Sequence, residues 1–277
     1  MERVILITGA SSGIGYDGAR AMRARGWRVL ATCRRETDVA RLQAEGFESF
    51  VLDIARSESI AAAIGEVGAR TGGRVDVLYN NAGFAIPGAV EDLPRGALEE
   101  VFATNVFGTH ELTRAVIPLM RAAGGGRIVT VSSVLGFVPR RWRGAYVASK
   151  HALEGLTDVL RLEMRGEPIR VSLIEPGPVT SRFRVNQIPG FERWIDWRSS
   201  VRAAEYEREL VARLYLAEGA QKDAFERPAS DVTKALIHAA ESARPRARYF
   251  VTTPTWIMAI CRRLLPVGAL DWVIAKG

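Results

Sequence analysis

Cysteine, histidine and lysine are all scarce in this chain of 277 residues. Two cysteines, Cys33 and Cys261, cannot build a disulfide framework or a cysteine-rich zinc site, and such usage fits a reducing, cytoplasmic compartment. Three scattered histidines, His110, His151 and His238, lack the spacing of metal ligands, so no metal is expected. No apolar run reaches the roughly eighteen residues of a membrane-spanning helix. The N-terminal run Val4–Ile7 is too short for a signal-peptide core and ends at Thr8-Gly9, so it reads as a buried strand and nothing is expected to be cleaved. No Ser/Pro-rich linker or internal repeat divides the chain, which predicts a single domain over residues 1–277.

Lysine's scarcity also shapes the charge. Lys and Arg number 38 against 31 acids, a net +7, yet only four of the cations are lysines. The arginines are dispersed among acids instead of forming a block, which argues against nucleic acid as a partner. The excess is greatest beyond Thr180, where it reads as solvated surface or as contact with an acidic substrate, a partner or a membrane.

What the chain does contain is a regular alternation. Short apolar runs at 4–8, 28–32, 49–52, 75–79, 127–132, 170–174 and 248–252 predict strands. Helical patterns fill the gaps at 14–25, 39–45, 57–70, 98–120, 145–165 and 230–242. In the fifth helix Leu153, Leu156, Leu160 and Met164 read as one core face. Strand and helix alternating this often predict an α/β fold, a doubly wound Rossmann-type parallel sheet with helices on both faces. The alternation lapses over 181–227, a charged stretch carrying Phe183, Phe191, Trp194, Trp197, Tyr206 and Tyr215. It follows a strand end, where open α/β sheets bind ligands, and so predicts a substrate lid.

Three constellations carry chemistry. Thr8-Gly9-Ala10-Ser11-Ser12-Gly13-Ile14-Gly15 sits between a strand and a helix, where glycines allow a tight turn and the helix N-terminus offers N–H groups to a pyrophosphate. The same stretch contains a hydrolase-like G-x-S-x-G, but that reading leaves Gly15 unexplained and finds no Asp-then-His pair downstream. At the end of the second strand, where an NAD-binding unit places an acid, the first charges are Arg34 and Arg35. A guanidinium fork suits a 2′-phosphate, which favours NADP(H); Glu36 and Asp38 nearby keep NAD(H) open. Finally, Tyr146 and Lys150 at i, i+4 share one helix face, with Ser133 at a strand end upstream. A neighbouring ammonium is expected to lower the pKa of the phenol, ordinarily about 10, toward working range.

With Asp53, Asn80-Asn81-Ala82-Gly83, Asn105 and Pro176-Gly177-Pro178-Val179 added, residues 2–180 resemble the short-chain dehydrogenase/reductase family. Ser11–Gly15, Asn105-Val106-Phe107-Gly108 and Glu175–Val179 are similar to its 17β-hydroxysteroid dehydrogenase-like branch, which also holds retinol dehydrogenases. The resemblance implies a catalytic tetrad of Asn105, Ser133, Tyr146 and Lys150. Tyr146 would be the proton donor in reduction, Ser133 would orient the substrate oxygen, Lys150 would hold the nicotinamide ribose, and Asn105 would anchor a relay water. It implies cofactor contacts from Gly9, Ser11, Ser12, Gly13, Ile14 and Gly15, from Asp53 and Ile54 at adenine, and from Asn81, Ala82 and Gly83. Pro176, Gly177, Val179 and Ser181 would lie near the nicotinamide.

The expected function is hydride transfer between NADP(H) and a carbonyl or alcohol, with a bulky hydrophobic ketone or aldehyde as substrate. The alternatives are an NAD-preferring alcohol dehydrogenase of the same family and a non-catalytic cofactor-sensing protein. The amphipathic tail at 256–277, with Trp256, Ile257, Ile260, Leu264 and Leu265 beside Arg262, Arg263 and Lys276, could face the core, a second subunit or a membrane; packing within the protein is the expectation. Self-association into a homo-oligomer is left open.

Overall fold

The computed structural model describes residues 2–216 and 225–276 of the chain. Part of the expected lid, 217–224, and the side chain of Lys276 lie outside the described residues.

Seven strands form one parallel sheet in the order β3-β2-β1-β4-β5-β6-β7. They are β1 (Val4–Ile7), β2 (Arg28–Cys33), β3 (Glu48–Val51), β4 (Val77–Asn80), β5 (Gly126–Val131), β6 (Ile169–Glu175) and β7 (Arg248–Phe250). The crossovers are α1 (Gly13–Ala24), α2 (Glu36–Ala44), α3 (Ser57–Thr71), α4 (Arg95–Phe102) running into α5 (Thr109–Ala122), and α6 (Gly144–Glu163). The doubly wound expectation holds. Its physical basis is visible in β1, whose four residues are all buried because helices cover both faces. Ile5 and Ile7 face a core built with α1 and α2, whereas Val4 and Leu6 face the opposite core with α3 and α5. The strand order reverses between β1 and β4, and the ends of those strands open the crevice in which such sheets bind ligands.

Several local expectations shift. The predicted helix over 98–120 is interrupted by a π-helical segment, Ala103–Gly108, between α4 and α5. On α6, Leu153 and Met164 are buried but Leu156 is exposed. At 100° per residue, Leu156 falls about 60° to one side of the line through Leu153, Leu160 and Met164.

The described part of the 181–227 stretch carries short helical pieces joined by turns: α7 (Ile188–Trp194), α8 (Ala203–Glu205), a π-helical turn Tyr206–Val211 and α9 (Ala212–Leu214). Phe191, Ile195, Tyr206, Leu210 and Leu214 form a third core with Ile86, Ala97, Val101 and Ala145. Tyr206 packs against Trp142 with ring centroids 4.5 Å apart and planes inclined at 47°, and its hydroxyl accepts a 2.7 Å hydrogen bond from the Ala89 N–H. The neck of the excursion is closed by paired backbone bonds, Thr180 N–H to the Arg227 carbonyl and Arg227 N–H to the Pro178 carbonyl.

After α10 (Ala229–Glu241) and β7, the tail folds as α11 (Thr253–Leu264) and α12 (Val267–Lys276). It packs through Thr255, Ala259 and Leu270, while Trp256, Ile257, Ile260 and Leu264 remain exposed. Internal packing is thus met by Thr255, Ala259 and Leu270, but not by the large apolar residues of α11.

Candidate active site

The glycine-rich turn leaves β1 with Gly9 at φ +66°, a conformation that side chains disfavour. Gly15 is constrained by space: a Cβ there would lie 2.3 Å from the Gly9 carbonyl oxygen and 2.5 Å from Asn81 Nδ2. That amide braces the turn from below, donating to the carbonyls of Thr8 and Gly9 at 3.0 and 3.1 Å. The Thr8 hydroxyl in turn accepts the N–H groups of Asn81 and Ala82, both at 2.9 Å. Ser12 is the N-cap of α1 and makes no side-chain cap, so the first-turn N–H groups and the positive dipole end remain available to an anion. A Cβ on Gly13 would come within 3.2 Å of Ser181 Cβ, which places the start of the 181–227 segment over this turn. A cradle that glycine alone can line fits a dinucleotide's pyrophosphate.

Around that cradle, Ile54 is buried and Asp53 half-buried, with the Asp53 carboxylate accepting the Ala55 N–H at 3.1 Å. The Ile54 carbonyl lies against Gly108, so this loop touches the π-helical segment. At the end of β2, Arg34 is exposed and has no ion pair among the described residues, whereas Arg35 is tied to Asp38 at 2.8 Å. The two arginines are therefore not equivalent.

Asn105, Ser133, Tyr146 and Lys150 converge from the π-helical segment, the end of β5 and the first turns of α6. The Asn105 amide is fully buried; it donates to the Phe84 carbonyl (2.9 Å) and the Ser149 hydroxyl (3.0 Å) and accepts the Phe84 N–H (3.1 Å). Its side chain thus locks the loop after β4 to α6, and a water relay would have to use its backbone carbonyl, in the irregular hydrogen bonding that a π segment creates. Ser133 caps the turn Val134–Gly136 by accepting the Leu135 N–H at 3.1 Å, and its hydroxyl lies close enough to Tyr146 to influence the phenol.

Burial pushes the Tyr146 phenol up to about 12, opposed by the neighbouring Ser133 hydroxyl and by the charge of Arg143. This is the reverse of the expected lowering by Lys150. Lys150 donates to the Val131 carbonyl at 2.8 Å, and its Nζ stands 5.6 Å from the Tyr146 ring centroid. Its own ammonium is pulled down to about 8 by burial, against the charge of Glu154. In a site this dry, loss of hydration outweighs the pairwise attraction.

Sequence patterning missed the layer beneath. Ser132 donates to Glu154 Oε1 at 2.6 Å, Arg248 binds Glu154 Oε2 at 2.7 Å and Asp158 at 2.6 Å, and Arg248 also pairs with the fully buried Glu175. This network fastens β6, β7 and α6 under the Ser133 turn. A legible hint was Glu154 itself, one turn beyond Lys150 on the same face. Of the aromatics in the expected lid, Phe191 is buried in the third core, Trp194 donates to Glu100 at 2.6 Å and Trp197 packs on Tyr206. They anchor the excursion; Phe183 is the one set against Tyr146.

Comparison with known proteins agrees with this arrangement. A family model described as short chain dehydrogenase matches residues 3–189. The chain is 39% identical over 274 residues to the uncharacterized oxidoreductase YbbO of Escherichia coli (strain K12), covering 99% of this chain and 94% of that one. It is 33% identical over 282 residues to retinol dehydrogenase 8 of Bos taurus, covering 97% and 87%. Among solved structures, a short-chain dehydrogenase from Streptomyces avermitilis superposes with a TM-score of 0.78 at 31% identity, over 100% of this chain and 94% of that chain.

Proposed function

The chain belongs to the short-chain dehydrogenase/reductase family, and from that premise we propose that it interconverts a bulky apolar ketone or aldehyde and its alcohol with NADP(H). The observation that carries this reading is the buried Tyr146 phenol with Lys150 one helical turn away, its Nζ 5.6 Å from the ring centroid, beside a cradle suited to a dinucleotide. When bound, the nicotinamide supplies or accepts the hydride.

The chain's own residues handle the oxygen and its proton. Ser133 orients the carbonyl oxygen, and Tyr146 delivers its phenolic proton to that oxygen in reduction or removes it in oxidation. Burial, which pushes the phenol up to about 12, keeps its proton in place near neutrality, so the group holds the proton that reduction delivers. Lys150 would hold the nicotinamide ribose, and the Asn105 backbone would hold the relay water that reprotonates the site. Asp53 and Ile54 would hold adenine, Asn81, Ala82 and Gly83 its ribose, and Pro176, Gly177, Val179 and Ser181 the nicotinamide.

NADP(H) rather than NAD(H) is supported by Arg34, exposed and without an ion pair among the described residues at the ribose end of β2. An apolar substrate is supported by Phe183 beside Tyr146 and by the similarity to a protein named for retinol. The 181–227 excursion serves as the lid, entered through the neck at Thr180 and Arg227.

NADPH consumption measured across a panel of ketones and aldehydes, including retinal and steroid ketones, tests the proposal. A saturable rate with a bulky apolar carbonyl is expected. Tight NADPH binding with no turnover on any member would instead make the protein a cofactor sensor.

A further inference from the structure

Helix α11 inverts the usual arrangement of a surface helix. Thr255 and Ala259 turn inward and are buried, while Trp256, Ile257, Ile260 and Leu264 turn outward, with exposures of 49%, 48%, 54% and 75%. At 100° per residue those four span an arc of about 100°, so they form one continuous apolar stripe. Solvating such a stripe is unfavourable, and contiguous exposed apolar surface marks a contact site.

The charge of the helix identifies the occupant. Arg262 and Arg263 end it, are exposed and have no ion pair among the described residues, whereas Arg25, Arg41 and Arg121 near other helix ends are each paired. They are the only charged side chains of α11, and Arg263 lies about 20° beyond the Trp256 edge of the stripe while Arg262 falls on the opposite side. Two copies of such a face would bring like charges together, while an anionic surface would complement them.

We propose that α11 docks the protein on an anionic lipid surface, with Trp256, Ile257, Ile260 and Leu264 entering the headgroup boundary and Arg263, at the edge of the stripe, meeting lipid phosphates. The contact is interfacial: among the described residues no helix is long and apolar enough to cross a membrane. Trp256 stands edge-on to Phe250 at 4.9 Å, and Phe250 to Phe137 at 5.8 Å, so the docked face lies beside the turn that follows Ser133. The inference is independent of the redox reading, since it needs only the exposed stripe and its charges.

Flotation of the full chain with phosphatidylcholine vesicles, with and without phosphatidylglycerol, tests it. Binding is expected to the anionic vesicles and to weaken with salt. Ile260→Glu, an exposed substitution that should leave Tm unchanged, is expected to abolish flotation. Arg263→Gln is expected to weaken it about fivefold, taking roughly 1 kcal/mol per cation near an anionic surface, and Arg262→Gln to weaken it less. Absence of binding to anionic vesicles at low salt overturns the proposal, as does binding indifferent to both sets of substitutions. A solution mass that falls from dimer to monomer in Ile260→Glu, without vesicle binding by the wild type, would assign the stripe to a second copy and also overturn it.

Discussion

Phe183 meets Tyr146 edge-on, with ring centroids 5.3 Å apart and planes inclined at 61°. The contact joins the first turn of the 181–227 excursion to the phenol proposed to move the proton. Water is thereby kept from one side of the ring, consistent with the burial that holds its proton on.

Replacing Phe183 by Ala should therefore act on apolar substrates selectively. Losing a ring's worth of apolar contact corresponds to about a tenfold or greater rise in KM. KM values for a homologous ketone series check this, and an equal effect on small polar ketones would show that the ring serves only as a structural cover.

Tyr146→Phe keeps the ring and its packing on Phe183 but removes the transferable proton. Turnover should fall by about 10²–10⁴, the usual contribution of a positioned acid, with NADPH affinity retained. Comparable kcat in mutant and wild type would reject the assignment.

Lys150 is expected to matter for cofactor as well as for turnover. Lys150→Ala should bind NADPH more weakly than Tyr146→Phe does, as read by fluorescence titration. Because burial brings its ammonium down to about 8, NADPH affinity of the wild type should decline as pH rises through that value. The Ala variant should lack that decline.

Cofactor choice is expected to rest on Arg34 more than on Arg35, whose guanidinium is already engaged by Asp38. Arg34→Asp should shift the NADPH/NADH ratio of kcat/KM by one to two decades, since charge-assisted hydrogen bonds contribute about 1.5–3 kcal/mol. The same ratio in Arg35→Ala should move less.

Glu175 offers a stability prediction. It is fully buried, and its Oε2 has no partner among the described residues. Burial, with the charges of Glu154 and Asp158, raises its pKa from 4.5 to about 8 despite Arg248. Between those values the folded state holds a proton that the unfolded chain releases, so this group's contribution is present at low pH and lost as pH rises through about 8. Tm should fall across that window, and Glu175→Gln, which is always neutral, should flatten the slope. An identical slope in both proteins would place the titration elsewhere.

How much of this was legible beforehand differs from residue to residue. Gly9, Gly15, Tyr146 and Lys150 could be read in one dimension because their chemistry depends on short spacings: a turn of a few residues, or one turn of helix. The parallel alternation of strands was legible for the same reason, as periodicity is local. Boundaries moved where capping or a π segment intervened, as at Ala103–Gly108.

What the sequence determined alone was the α/β class, the order of its elements, the glycine cradle and the Tyr146–Lys150 pair. The tertiary structure decided what spacing cannot encode. It set the sign of the Tyr146 shift, because desolvation depends on everything packed around the phenol. It brought Glu154, Asp158, Glu175 and Arg248 together, since residues from α6, β6 and β7 become neighbours only when the sheet is assembled. It also sorted the aromatics, burying Phe191 as an anchor and setting Phe183 against Tyr146, because a ring's role follows from the surface it meets.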